Sequence, residues 1–305
     1  MKVLLATDGS EYADEAAKFL AHLPHAQKLD LSVLTVINIP HLNSTRPDSQ
    51  WRPACVKRET EAANETFQHI CEMFAGADAS VQHLSREGYL SETIVDEATK
   101  SGADLVVLGA RGRSTISRIL LGSTSDYVAT HAPCSVLVVR PTGIQAHQHQ
   151  QLRVALAYDE SGPSQAAIEE FSEFEWGQHT EMHVVSVVSY VSEFLNEVVI
   201  EPDDVKQEAE KGLRVAAKQL RDVAPSVHSH LIECDHIGDG IVQFTEEHDC
   251  DLVVMGNTSR SKLGQLLLGS VSRYVLRHAP CSVWITRNRM IKGTAPRANQ
   301  SAEVV

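Results

Sequence analysis

Two stretches of this 305-residue chain are near copies of each other. HAPCSVLVVR, from His131, returns 147 residues later as HAPCSVWITR, from His278. At the same offset ADLVVLGARG, from Ala103, returns as CDLVVMGNTS, and LLGSTSDYV, from Leu120, returns as LLGSVSRYV. VLLATDGS, from Val3, matches VALAYDES, from Val154, at an offset of 151, so a small insertion separates the amino ends from the rest. A repeat of this quality means that one structural unit was duplicated. Whatever fold the first half adopts, the second must also be able to adopt it.

Each half alternates short apolar runs with amphipathic ones. KVLLAT, LDLSVLTVINI, ASVQHLSRE, ADLVVLG and SVLVVR read as five strands. Between them the pattern predicts helices from about Ser10 to Leu23, Val56 to Phe74, Ser91 to Lys100 and Ser123 to Thr130. Ser10 and Ser91 are the expected N-caps, and Gly102 is an expected stop. A polar excursion spans Pro40 to about Pro53. Continuous apolar strands alternating with helices predict a parallel sheet covered on both faces. The reading is therefore an α/β protein of two tandem doubly wound domains, at 1–142 and 152–290. A linker at 143–151 and a polar tail at 291–305 complete it.

The composition excludes some functions. The formal net charge of −13 argues against a nucleic-acid binder, which needs a basic face. None of the six cysteines forms a CxxC pair or a zinc-ligand spacing, so reduced and often buried thiols are expected. Cys134 and Cys281, at equivalent places beside a strand, are read as buried. No apolar run approaches the roughly 20 residues that span a bilayer. With no leader pattern at the amino end, a cytoplasmic protein without membrane attachment is expected.

One loop carries chemistry. After the fourth strand the chain reads GARGRSTISRILLGST, with Gly109, Gly112 and Gly122 followed by Ser123 and Thr124. Ligands of open parallel sheets bind beyond the carboxyl ends of the strands, where the connections change direction. Glycines there let backbone N–H groups approach a phosphate. Ser123 and Thr124 open the next helix, whose amino end favours an anion. Arg111, Arg113 and Arg118 add positive charge to an otherwise acidic chain. Turn-making alone is the competing account of the glycines. Asp8, at the end of the first strand, can accept from a ribose hydroxyl or cap the following helix; the sequence leaves both open.

These residues resemble the universal stress protein family in its tandem form. The loop fits that family's Gly-x2-Gly-x9-Gly-(Ser/Thr) motif, and ATDGS fits its first strand end. The resemblance implies an adenine nucleotide alpha hydrolase-like fold, with five parallel strands in the order 3-2-1-4-5. It implies pairing of the last strands of the two domains, SVLVVR and SVWITR, and allows a homodimer. It also implies that ATP with Mg2+ binds the first half. There Asp8 would hold the adenosine end and Val36 the adenine. Gly109, Arg111, Gly112, Gly122, Ser123 and Thr124 would surround ribose and phosphates.

The second copy, GNTSRSKLGQLLLGSV, keeps Gly256, Gly269 and Ser270 but places Ser259 where Gly112 stands. Asp159 and Val187 hold the Asp8 and Val36 positions, and Arg260 and Lys262 keep some charge. The expectation is an ATP-binding regulatory stress protein, with a nucleotide-independent scaffold of the same fold as the alternative. No Walker, HxGH or SGGxDS loop is present. No residue is placed as a base for the γ-phosphate, so any hydrolysis should be slow.

Overall fold

Strand order decides where a doubly wound sheet can hold a ligand, because it fixes where the connections reverse. A computed structural model describes residues 1–23, 28–38, 51–112, 121–141, 151–174, 176–177, 180–189, 202–257 and 268–287. Contacts divide the chain into two compact units, the first reaching Pro141 and the second beginning at Thr142.

The first unit contains β1 (Lys2–Thr7), α1 (Glu11–His22), β2 (Leu29–Ile37), α2 (Trp51–Met73), β3 (Ala79–Glu87), α3 (Leu90–Ser101), β4 (Leu105–Gly109), α4 (Ser123–His131) and β5 (Ser135–Val139). Its strands lie in the order β3-β2-β1-β4-β5, all parallel, as the resemblance implied. The connections reverse between β1 and β4, and this is the switch point.

The second unit repeats the plan. It contains β6 (Leu152–Ala157), α5 (Gly162–Phe171), β7 (Thr180–Val188), α6 (Pro202–Leu220), β8 (Ser226–Glu233), α7 (Ile237–Glu247), β9 (Leu252–Gly256), α8 (Ser270–His278) and β10 (Ser282–Thr286). Its order is β8-β7-β6-β9-β10, again parallel.

Local chemistry explains the boundaries. Ser10 caps α1 as expected, its Oγ accepting from the Ala13 N–H at 3.3 Å. The helix buries Ala13, Ala16, Ala17, Phe19 and Leu20, a stripe at helical spacing that faces the sheet. Gly102 ends α3 in the left-handed conformation, with φ 60°. Two expectations are corrected. The N-cap of α3 is Tyr89, without a side-chain cap, and Ser91 lies inside the first turn. Helix α2 begins at Trp51 rather than near Val56. Pro53 therefore sits in a first turn, where its missing N–H costs nothing. Residues 40–50 of the polar excursion, linker residues 143–150 and the tail at 291–305 lie outside the described residues.

The sheet centres are closely packed. Leu4, Leu5, Val106 and Val107 are fully buried, and each such side chain contributes about 2 kcal/mol by burial. None of the six cysteines is in a disulfide; Cys134, Cys250 and Cys281 are buried. Burial pushes the Cys250 thiol up to about 12, which keeps it protonated and inert.

Helix α1 lies so close to β4 that Gly109 has no room for a side chain. A Cβ there would stand 2.6 Å from the Tyr12 carbonyl oxygen. Gly109→Ala is expected to destabilise the first unit by about 2 kcal/mol, through overpacking against backbone. Urea unfolding would check this. The repeat carries the same constraint, Gly256 standing against the Pro163 backbone.

Candidate functional site

The candidate site of the first unit lies where the end of β1, beside β2, meets the start of the loop after β4. Thr7 pairs with Thr35, which places Asp8 and Val36 side by side just beyond the paired residues. Asp8 is oriented by its own turn: its Oδ1 accepts from the Ser10 N–H at 3.0 Å. The helix cap itself is Ser10, so the capping role weighed for Asp8 falls to another residue. The other oxygen of Asp8 faces the glycine loop. A Cβ on Gly112 would lie 2.5 Å from Asp8 Oδ2. Gly112 thus allows the loop backbone to pass directly against that carboxylate.

The loop is closed at its base. The Gly122 N–H donates to the Ala110 carbonyl at 2.7 Å, and the Ala110 N–H donates to the Val139 carbonyl at 2.7 Å. Ser125 Oγ donates to the Gly109 carbonyl at 2.8 Å. Ser123 and Thr124 are the first two residues of α4, and Gly122 is its N-cap, with no side-chain cap bond among the described residues. An uncapped first turn leaves N–H groups and positive potential for an anion. Arg111 Nη1 donates to Tyr12 Oη at 3.0 Å, and its guanidinium stands 5.5 Å from that ring's centre. This contact ties the start of the loop to α1. Arg113 and Arg118 lie outside the described residues.

In the second unit the equivalent positions meet around a cavity of about 610 Å3. Asp159, Val187, Gly256, Gly269 and Ser270 all line it. Its apolar walls come from Val185 on β7, Ile237 and Ile241 on α7, and Met255 on β9. Such a mixture, mostly apolar with a few polar groups, suits a small molecule with one flat and one polar end. Asp159 Oδ1 accepts from Ser161 Oγ at 2.5 Å and from the Ser161 N–H at 3.2 Å.

Two features of the second copy have roles that only the folded loops reveal. Asn257 replaces Ala110, and its side-chain oxygen, not its carbonyl, accepts from the Gly269 N–H at 3.3 Å. The substitution is visible where LVVMGN replaces LVVLGA, but its role needs the closed loop base. Glu160 replaces Gly9 and adopts the same left-handed backbone, φ 59° against 70°. A side chain there costs about 1–2 kcal/mol. Glu160→Gly is expected to stabilise the second unit by about 0.5 kcal/mol, the relief exceeding the added entropy of the unfolded chain. A higher urea midpoint would show it. Ser259, Arg260 and Lys262 lie outside the described residues.

Known proteins match this architecture. Residues 1–140 and 152–287 each match the universal stress protein family. A universal stress protein of Methanocaldococcus jannaschii is 30% identical over 141 residues, spanning 46% of this chain and 81% of its own. One from Mycobacterium tuberculosis is 25% identical over 303 residues, spanning 93% of this chain and 96% of its own. A universal stress protein structure from Archaeoglobus fulgidus shares the fold, with a TM-score of 0.67 at 21% identity, covering 94% of this chain and 98% of that one. This chain belongs to the universal stress protein family, with two tandem copies of the family's domain.

Proposed function

We propose that the protein is a cytoplasmic regulatory stress protein that binds ATP with Mg2+, held mainly in its first half. The observation that carries this reading is the fit between Gly112 and Asp8. A loop with glycine spacing for phosphates passes over a carboxylate at the switch point, where a Cβ would collide. The uncapped start of α4 and the closed loop base support it.

In this reading Asp8 accepts from a ribose hydroxyl, and the Val36 backbone meets the adenine. Gly109, Gly112 and Gly122 let the backbone approach the phosphates, with Arg111, Ser123 and Thr124 around them. Mg2+ accompanies the phosphates, as this ion usually does, rather than sitting in a protein cage. Among the described residues no helix is long and apolar enough to cross a membrane. The second half binds more weakly, through Asp159, Val187, Gly256, Gly269 and Ser270. Calorimetric titration of nucleotide-free protein with ATP and Mg2+ tests the proposal. Saturable binding is expected, and a flat titration would end it.

A further inference from the structure

Four histidine rings meet on one face of the second unit. His183 on β7 and His228 on β8 are register partners. His230 lies two residues further along β8, on the same face. His248 joins them from the carboxyl end of α7, as its C-cap. The His183 ring stands 5.5 Å from His228, 5.1 Å from His230 and 5.5 Å from His248, and His230 stands 5.3 Å from His248. His183 Nδ1 and His230 Nε2 are 3.0 Å apart, so one must donate while the other accepts. Phe244 of α7 packs against three of the rings, at 3.9 Å from His248, 4.7 Å from His230 and 5.6 Å from His183.

One carboxylate, Glu181, faces the cluster and favours its protonated form, but it is shared with a cation. Glu181 on β7 lies 3.7 Å from His183 Nε2 and 3.8 Å from His228 Nε2. Its other oxygen already faces Arg153 of β6 at 3.6 Å, and Arg153 also faces Asp249 at 3.8 Å. His183 is only 5% exposed.

The cluster and the cavity share two walls. Ile237 and Ile241 line the cavity from α7, while Phe244 and His248 continue the same helix face down to the cluster. Val185 and Val187 line the cavity from β7, and His183 precedes them on that strand face. Whatever pushes the lower end of α7 off β7 and β8 also moves a wall of the cavity.

We propose that the histidine cluster is a proton-operated latch on α7, closed when the rings are neutral and released on acidification. Neutral rings hydrogen-bond and stack. If His183 and His230 are both protonated, two N–H groups face each other across the 3.0 Å contact, and like charges stand about 5 Å apart. His248 belongs to the helix layer rather than the sheet, so α7 is the element that yields. Burial, opposed by Glu181 and helped by the neighbouring histidines, holds His183 down to about 4, and burial with His248 and His228 keeps His230 below its usual value. The latch rests on the cluster alone; its effect on a bound nucleotide rests on the function proposed above.

Hydrogen exchange of the ligand-free full chain tests the latch. Between about pH 7 and about pH 5, protection of α7 amides, corrected for intrinsic rates, is expected to fall about tenfold or more. Protection of α3, the equivalent helix of the first unit, should fall less than about threefold. In His230→Gln/His248→Gln, or in His248→Gln alone if the double variant does not fold, the α7 response should shrink towards that of α3. Equal loss in α7 and α3, or an unchanged response in the variant, would overturn the proposal. ATP titration of Gly112→Val, which silences the first half, separates the two readings. If α7 opens at low pH but no nucleotide binds this variant near neutral pH, the latch stands and nucleotide binding in the second half falls.

Discussion

Gly112→Val is expected to weaken ATP binding about a hundredfold in the first half, a loss of about 2.7 kcal/mol, with the fold intact. Even the first carbon of the new side chain would stand 2.5 Å from Asp8 Oδ2. Asp8 cannot simply turn away, because the Ser10 N–H holds its other oxygen at 3.0 Å. Loop and carboxylate must therefore separate, and both are assigned to the nucleotide. The position is partly exposed and outside the core, so thermal unfolding should barely move. Calorimetry beside a melting curve separates lost binding from lost folding. The reciprocal change, Ser259→Gly, should strengthen the second site.

Acid is expected to unfold the second unit first. The His183 imidazole takes up its proton near 4 when folded, against 6.5 for an unhindered ring. Between those values the unfolded chain binds more protons than the folded one. Stability is therefore full above about pH 6.5 and drains away as the pH falls towards 4. At about 1.4 kcal/mol for each tenfold change in proton affinity, the ceiling is about 3 kcal/mol, with about 2 kcal/mol lost by pH 5. Trp176 and Trp284 report on this unit: Trp176 stacks on Phe171 at 4.1 Å, and Trp284 meets Phe174 edge-on at 5.1 Å. Urea titrations followed by tryptophan fluorescence should show a midpoint that falls on acidification. A midpoint unchanged between neutral and mildly acid pH would contradict the assignment.

Much of the fold could be read from pattern alone. Strands buried on both faces appear as unbroken apolar runs, and the duplication supplied each half with a second witness. The strand KVLLAT and the Ser10 cap fall where local chemistry puts them. The misplaced start of α2 has a local cause: Pro53 reads as a breaker, yet a first turn accepts proline. Tyr89 at the start of α3 could not be anticipated, since it uses no side-chain cap at all.

The candidate site could be listed from the sequence, but its contacts could not. Asp8 and Gly112 lie far apart in sequence, and only the β1–β4 pairing brings them together. The histidine cluster was hidden for the same reason. His183 and His228 become neighbours through strand register, and His248 through the descent of α7. Its members are not at metal-type spacings along the chain. Its one local sign was the period-two pair in HSH, His228 and His230, which places two imidazoles on one strand face.

The nucleotide released from purified protein tests the central claim most directly. Wild-type chain, denatured and chromatographed, should yield ATP at about one per chain, and Gly112→Val should yield little. If wild-type protein releases no adenine nucleotide, and none binds when ATP and Mg2+ are supplied, the nucleotide reading is wrong. The fold would then serve as a nucleotide-independent scaffold.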